Sequence, residues 1–204
     1  MASSSGFYAR AEDLKNEVGI PATNHTMDLS IELALLSVCR GIDDYCGRRF
    51  YSATETRYYT AAESGCLLTD DILAVTALRT DNDGDGVFET TWSTASYYLA
   101  PFNAAADARP YWEIMTAPNS SAVFPTCVKR GVQVVGTFGY APTTATPPII
   151  KKVALLQAAM DFRAKDAPLG VVGGRDFSQD VRPAGGLHPF ARRMLDPYRK
   201  PTVV

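Results

Sequence analysis

The sequence predicts an α+β protein, a small bundle of about four helices that carries a β-rich antiparallel insertion and closes with a C-terminal helix plus an extended tail. Three observations predict it. Apolar residues recur at helical spacing through the first fifty residues and again after Pro148. Between them, short β-branched and aromatic runs alternate with turn residues, roughly one run per ten residues. The 204 residues, 46% hydrophobic and 21% charged, match a globular chain that needs neither disulfides nor metal for stability.

The first helix is expected over residues 8–18, where Tyr8, Ala11, Leu14, Lys15 and Val18 share a face and Gly19 and Pro21 end the pattern. A stronger one spans 28–46. Leu29, Leu33, Leu36, Ile42 and Tyr45 line one side, and Leu35, Val38 and Cys39 widen the stripe, so packing on two sides is expected. Thr26 or Asp28 can cap its first turn, and Gly47 can end it. Strand-like runs follow at 54–60, 66–68, 72–80, 87–92, 97–100, 111–116 and 128–138. Pro148 suits the first turn of a helix over 148–165, whose apolar stripe includes Ile149, Val153, Leu156 and Met160. Residues 167–186 hold five glycines and two prolines and are expected to form a long mobile loop. A last short helix is expected around His188–Leu195, with Thr202–Val204 a loose tail. The resulting division is 1–50 for the N-terminal helices, 51–141 for the insertion, and 142–204 for the helices, loop and tail that complete the bundle.

The ends and cysteines bound the setting. Met1–Gly6 is small and polar, with no basic n-region and no apolar stretch behind it, so no secretory signal is expected. The longest apolar runs fall far short of the ~20 residues of a membrane span. A soluble protein of intracellular origin is expected, without membrane contact. Cys39, Cys46, Cys66 and Cys127 show neither a CxxC pair nor zinc-ligand spacing, and reduced, mostly buried thiols follow.

Candidate chemistry is sparse. Asp81, Asp83 and Asp85 in the run DNDGDG match the start of a calcium loop, yet Trp92 stands where a bidentate Glu belongs. Asp-Gly and Asn are also the ordinary material of hairpin tips, which is the preferred reading. Gly170, Gly173 and Gly174 lack the strand before and the GK[ST] after that a phosphate loop requires. His25 and His188 each stand beside an expected helix start, and no GxSxG elbow accompanies them. Asp43-Asp44 and Asp70-Asp71 are adjacent pairs whose side chains diverge. No catalytic residue, cofactor or metal is expected.

Charge is more informative. The total is −2, but residues 1–150 carry 10 basic and 17 acidic side chains (net −7), and residues 151–204 carry 10 basic and 5 acidic (net +5). Arg192, Arg193, Arg199 and Lys200 cluster with Tyr198 near the end of the chain. Such a segment is either a solvated end or an arm for an acidic partner or phosphate backbone. An acidic body with a basic end suits head-to-tail assembly.

Several passages then resemble one family in their order. IDDYCGRRFY at 42–51 leads into TRYY at 56–59. LAVTAL at 73–78 and an acidic turn precede ETTW at 89–92 and YYLAP at 97–101. RGVQV at 130–134 and GTFGY at 136–140 precede the long helix and DAPLGV at 166–171. This arrangement resembles the head–tail connectors of tailed bacteriophages, also called head-completion or neck adaptor proteins, in their longer form. Relatives occur in phage-like gene transfer agents.

The resemblance covers nearly the whole chain from about residue 8 to 200. It implies a non-enzymatic virion protein, made in the bacterial host cytoplasm. It also implies a ring, usually of twelve copies, that joins the portal and extends the DNA channel toward the tail. Expected partners are the portal, other neck or tail-completion proteins and identical neighbours, with genome DNA passing without sequence-specific binding. A near-neutral total suits such a conduit, because dense positive charge would hold DNA through counterion release. The expected portal or assembly interface is Arg192, Arg193, Tyr198, Arg199, Lys200, Pro201, Thr202, Val203 and Val204. Two alternatives stand beside this reading: a tail-completion or stopper protein, and an enzyme using His188 or the aspartate loop.

Overall fold

The computed structural model describes residues 6–142, 146–164 and 186–200. The chain divides into two compact units, Met1–Arg49 with Thr146–Val204, and Phe50–Ala145. The fold is α+β.

In the first unit the described residues form four helices: α1 (Ala11–Val18), α2 (Asp28–Cys46), α3 (Pro148–Ala164) and α4 (Pro189–Leu195). Acidic Glu12 and Asp13 favour the N-terminus of α1, and Gly19 ends it in the left-handed region at φ 79°. Lys15 is only 3% exposed. Its ammonium lies 2.5 Å from Asp28 and donates to the Asn24 carbonyl at 2.8 Å, which fastens the α1–α2 turn. That pairing corrects the expected capping of α2. Met27 occupies the N-cap position, Asp28 binds Lys15 and His25, and the Thr26 hydroxyl donates to Asn24.

The buried stripe of α2 also differs from the expected one. Ile31, Leu35, Val38, Cys39, Ile42 and Cys46 face the core, whereas Leu29, Leu33 and Leu36 are exposed. Leu35, Val38, Cys39 and Ile42 of the expected stripe are buried; apolar residues occur on several sides of this helix, and contact with α1 and α3 decides which of them face the core. Pro147 accepts from Ile150 and Lys151 at the start of α3, and Ile150, Val153, Ala154 and Ala158 are buried. Lys151 pairs with Asp13 at 2.7 Å, and Arg163 donates to the Glu17 carbonyl, so both ends of α3 hold α1. The expected loop at 167–186 lies outside the described residues except for Gly186. Cys39 and Cys46 are buried free thiols, and burial pushes them up to about 11 and about 12; Cys66 is half-buried and Cys127 exposed.

The second unit is an antiparallel sheet of β1 (Ala53–Tyr59), β2 (Cys66–Thr80), β4 (Tyr97–Ala100), β5 (Tyr111–Thr116) and β6 (Val132–Phe138) in the order β1-β6-β2-β5-β4; the short β3 (Thr90–Thr91) pairs with β2. The runs at 66–68 and 72–80 are one strand. Its register shifts between Leu68 and Ile72, and Asp70 and Asp71 fall on opposite faces instead of making a turn. The run expected at 87–92 contracts to two residues, and β6 begins at Val132 because Arg130 adopts φ 57° in the preceding turn. Gly136 in β6 leaves no room for a Cβ, which would strike the Ala74 carbonyl oxygen of the paired strand. Leu67, Ile72, Leu78, Ile114, Val132, Val134 and Phe138 form the core with Trp92, which stacks on Phe124 at 4.5 Å and donates to Thr80 Oγ1.

Two predictions follow from the first unit. Ile42→Ala should cost about 2–5 kcal/mol of unfolding free energy in denaturant melts, and Leu33→Ala less than about 0.5 kcal/mol; equal losses would contradict the stripe described here. Asp43 accepts from the Tyr8 hydroxyl and lies 3.1 Å from Arg40, and burial pushes it up to about 6. A carboxyl raised in this way contributes stability that is complete below its unfolded value of about 4 and is lost as pH rises through the folded value. Melting at about pH 5 should therefore exceed that at about pH 7.5 by a margin that shrinks in Asp43→Asn; an unaltered margin would refute the assignment.

Candidate assembly interface

The basic C-terminal segment is built on α4. His188 is the N-cap: its Nδ1 accepts from the Phe190 N–H at 3.2 Å, and Pro189 fills the first turn. The His188 N–H donates to Gln157 Oε1 at 2.8 Å, which fixes the start of α4 on α3. Gln157 is itself buried, and its amide donates to Asp161. Ala191 and Leu195 point into the core, so Arg192 and Arg193 project outward from the last turn, where positive charge complements the helix dipole.

A single 3-10 turn, Asp196–Tyr198, continues α4, and from there the segment is tied to α2. Asp196 accepts from the Tyr45 hydroxyl at 2.6 Å, a bond that raises the Tyr45 phenol. The Arg199 guanidinium lies 5.3 Å from the Tyr45 ring, and the Lys200 N–H donates to the Cys46 carbonyl at 2.8 Å. The basic segment is thus anchored through Lys200 by α2, an arrangement for which its sequence carried no signal. Arg192, Arg193 and Arg199 remain exposed; Tyr198 and Lys200 are half-buried. Pro201, Thr202, Val203 and Val204 lie outside the described residues.

The second candidate, the acidic loop, occupies a turn after β2. Carboxylate oxygens of Asp81, Asp83, Asp85 and Glu89 lie within 4.8 Å of one another, a spacing compatible with a small cation. Glu89 stands at the ninth position of the calcium-loop pattern, beyond the DNDGDG run that the sequence singled out. The turn already employs most of these groups. Asp81 accepts from the N–H groups of Gly84 and Gly86 at 2.7 and 2.9 Å, Asp83 from Asp85, and Asp85 from Val87. Burial would raise Asp81, but the bonds from Gly84, Gly86 and Asp83 together outweigh it and hold the carboxyl low. These bonds are the Asx chemistry of a tight turn.

The remaining sequence candidates do not converge. His25 pairs with Asp28 at 2.8 Å, and His188 caps α4. Asp43 turns inward to Tyr8 and Arg40 while Asp44 is exposed; Asp70 meets Arg57 at 2.7 Å while Asp71 is buried. No helix among the described residues is long and apolar enough to cross a membrane.

No family model and no curated protein matches the chain. Among solved structures it is similar to the neck of an empty GTA particle computed with C6 symmetry. The likeness covers 100% of this chain and 95% of that one, with a TM-score of 0.59 and 16% sequence identity. Helices, sheet and their order along the chain are therefore a shared fold.

Proposed function

We propose that this chain is a structural neck protein of a tailed-phage-like particle. In this reading it is a head–tail connector that assembles as a ring under the portal, extends the DNA channel and offers the platform for a tail or stopper protein. The observation that carries the reading is the likeness over its whole length to the neck of a GTA particle. That neck was computed with C6 symmetry, with which a ring of twelve identical subunits is compatible. The ordered motifs from IDDYCGRRFY to DAPLGV support the same family of adaptors.

The electrostatics fit a conduit. A total of −2 gives DNA little nonspecific hold, while the separation into an acidic body and a basic end favours contacts between unlike surfaces of neighbouring proteins. Arg192, Arg193, Tyr198, Arg199, Lys200 and Pro201–Val204 form the portal and assembly interface, with the chain end toward the portal. Residues 1–50 and 142–204 make the ring-building bundle, and 51–141 the insertion that decorates it. The reading assigns no catalytic residue, cofactor or metal, and places the protein in the virion neck.

The anchoring of Arg199 and Lys200 sets where a truncation must begin. Removing Tyr198–Val204 also deletes the contacts to Tyr45 and Cys46, so a clean test removes Pro201–Val204 alone. That shortened chain should melt with the full chain yet lose co-purification with the portal protein. Retained portal attachment would overturn the assignment of the chain end.

A further inference from the structure

Two apolar features of the helical unit lie exposed. The first is the ridge of Leu29, Leu33 and Leu36 on α2, with Leu29 71% and Leu33 58% exposed. Their i, i+4, i+7 spacing aligns them over about 10 Å of helix. The second is a cleft between α3 and α4 of about 190 Å³, lined by Val153, Leu156, Met160, Phe190, Ala191 and Met194. An apolar cavity of about 150 Å³ accepts benzene, so the cleft has room for a leucine side chain. Ridge and cleft belong to one unit but are separate surfaces; the ridge does not fill the cleft of its own chain.

We propose that the α2 leucine ridge of one copy seats in the α3–α4 cleft of a second copy of this chain. Charge complementarity selects that occupant. Glu32 is exposed beside Leu33 and Leu36 on the ridge, and Arg192 and Arg193 are exposed on α4 beside the cleft. Docking the ridge brings the carboxylate to the rim that carries the two guanidiniums, while the apolar centre loses its water. The choice of a second copy also rests on the neck reading, which requires identical neighbours. Because ridge and cleft are different patches, the contact is head-to-tail; repeated around an axis it closes a ring. The contact accounts for an α2 that is apolar on more sides than its own core uses.

The test uses the full chain with Cys66→Ser and Cys127→Ser, which removes the two thiols that are not buried. One preparation carries Leu33→Cys and a differently tagged one carries Met160→Cys. Mixed and treated with a short bifunctional thiol reagent, they should give a mixed dimer that neither gives alone. Adding Glu32→Arg to the first preparation should lower the yield about fivefold, and Arg193→Glu in the second should restore it. No mixed product, or an equal yield from Leu33→Cys alone, overturns the contact, as does a yield indifferent to both charge reversals. Circular dichroism of each variant checks that the fold is kept. Loss of the mixed dimer in a chain still found in particle necks removes this joint and spares the neck reading; a mixed dimer from a chain absent from necks does the reverse.

Discussion

The packing of α2 against α3 is the contact on which the rest of the molecule depends. These helices lie on opposite sides of the insertion in sequence, so the bundle closes only when Ile31, Leu35, Val38 and Ile42 bury themselves with Ile150, Val153 and Ala154. Closing a chain across so long an insertion adds little entropy per extra residue, because the cost grows only with the logarithm of loop length. The insertion lowers that cost further by its own topology. Its first and last strands are neighbours, with Ala53 opposite Phe138, so the sheet delivers both of its ends together. Phe50 and Tyr140, with ring centroids 5.2 Å apart, extend that pairing beyond the strands, and Gly139 passes Tyr51 at a φ of 137° where no side chain fits.

Much of this was legible in the sequence. Alternation and turn residues placed the strands at Tyr97–Ala100 and Tyr111–Thr116, and Pro148 marked the start of α3. The failures have physical causes. Thr69-Asp70-Asp71 looks like a turn because it is polar, yet a strand whose register shifts can put one aspartate in solvent beside Arg57 and bury the next. The capping of α2 was misread because Asp28 meets a buried lysine from another helix, a partner no local pattern announces. Above all, the leucines of α2 encode two surfaces in one periodic pattern. Spacing reports that a face is apolar; only the positions of α1 and α3 decide which face is core.

The same distinction governs the candidate site. A basic cluster near the chain end was visible as composition, but its anchoring was not. Tyr45 and Cys46 at the end of α2 hold Arg199 and Lys200, so α2 organises the bundle core at one side and the C-terminal segment at its end. The acidic loop shows the converse. Its resemblance to a calcium loop reflects the fact that a tight turn and a cation want the same residues, and here the backbone N–H groups of Gly84 and Gly86 are the partners. The chain thus combines one long helix with a core face and an outer face, a sheet whose first and last strands pair, and unlike charges set apart along the sequence.

The most direct measurement is a cryo-EM reconstruction of the neck of phage-like particles from cells that produce this chain. The account predicts a ring of identical copies next to the portal, with α2 of each copy against α3 and α4 of the next and the chain ends toward the portal. A neck whose density admits no copy of this α+β fold, or in which the chain lies elsewhere in the particle, would contradict it.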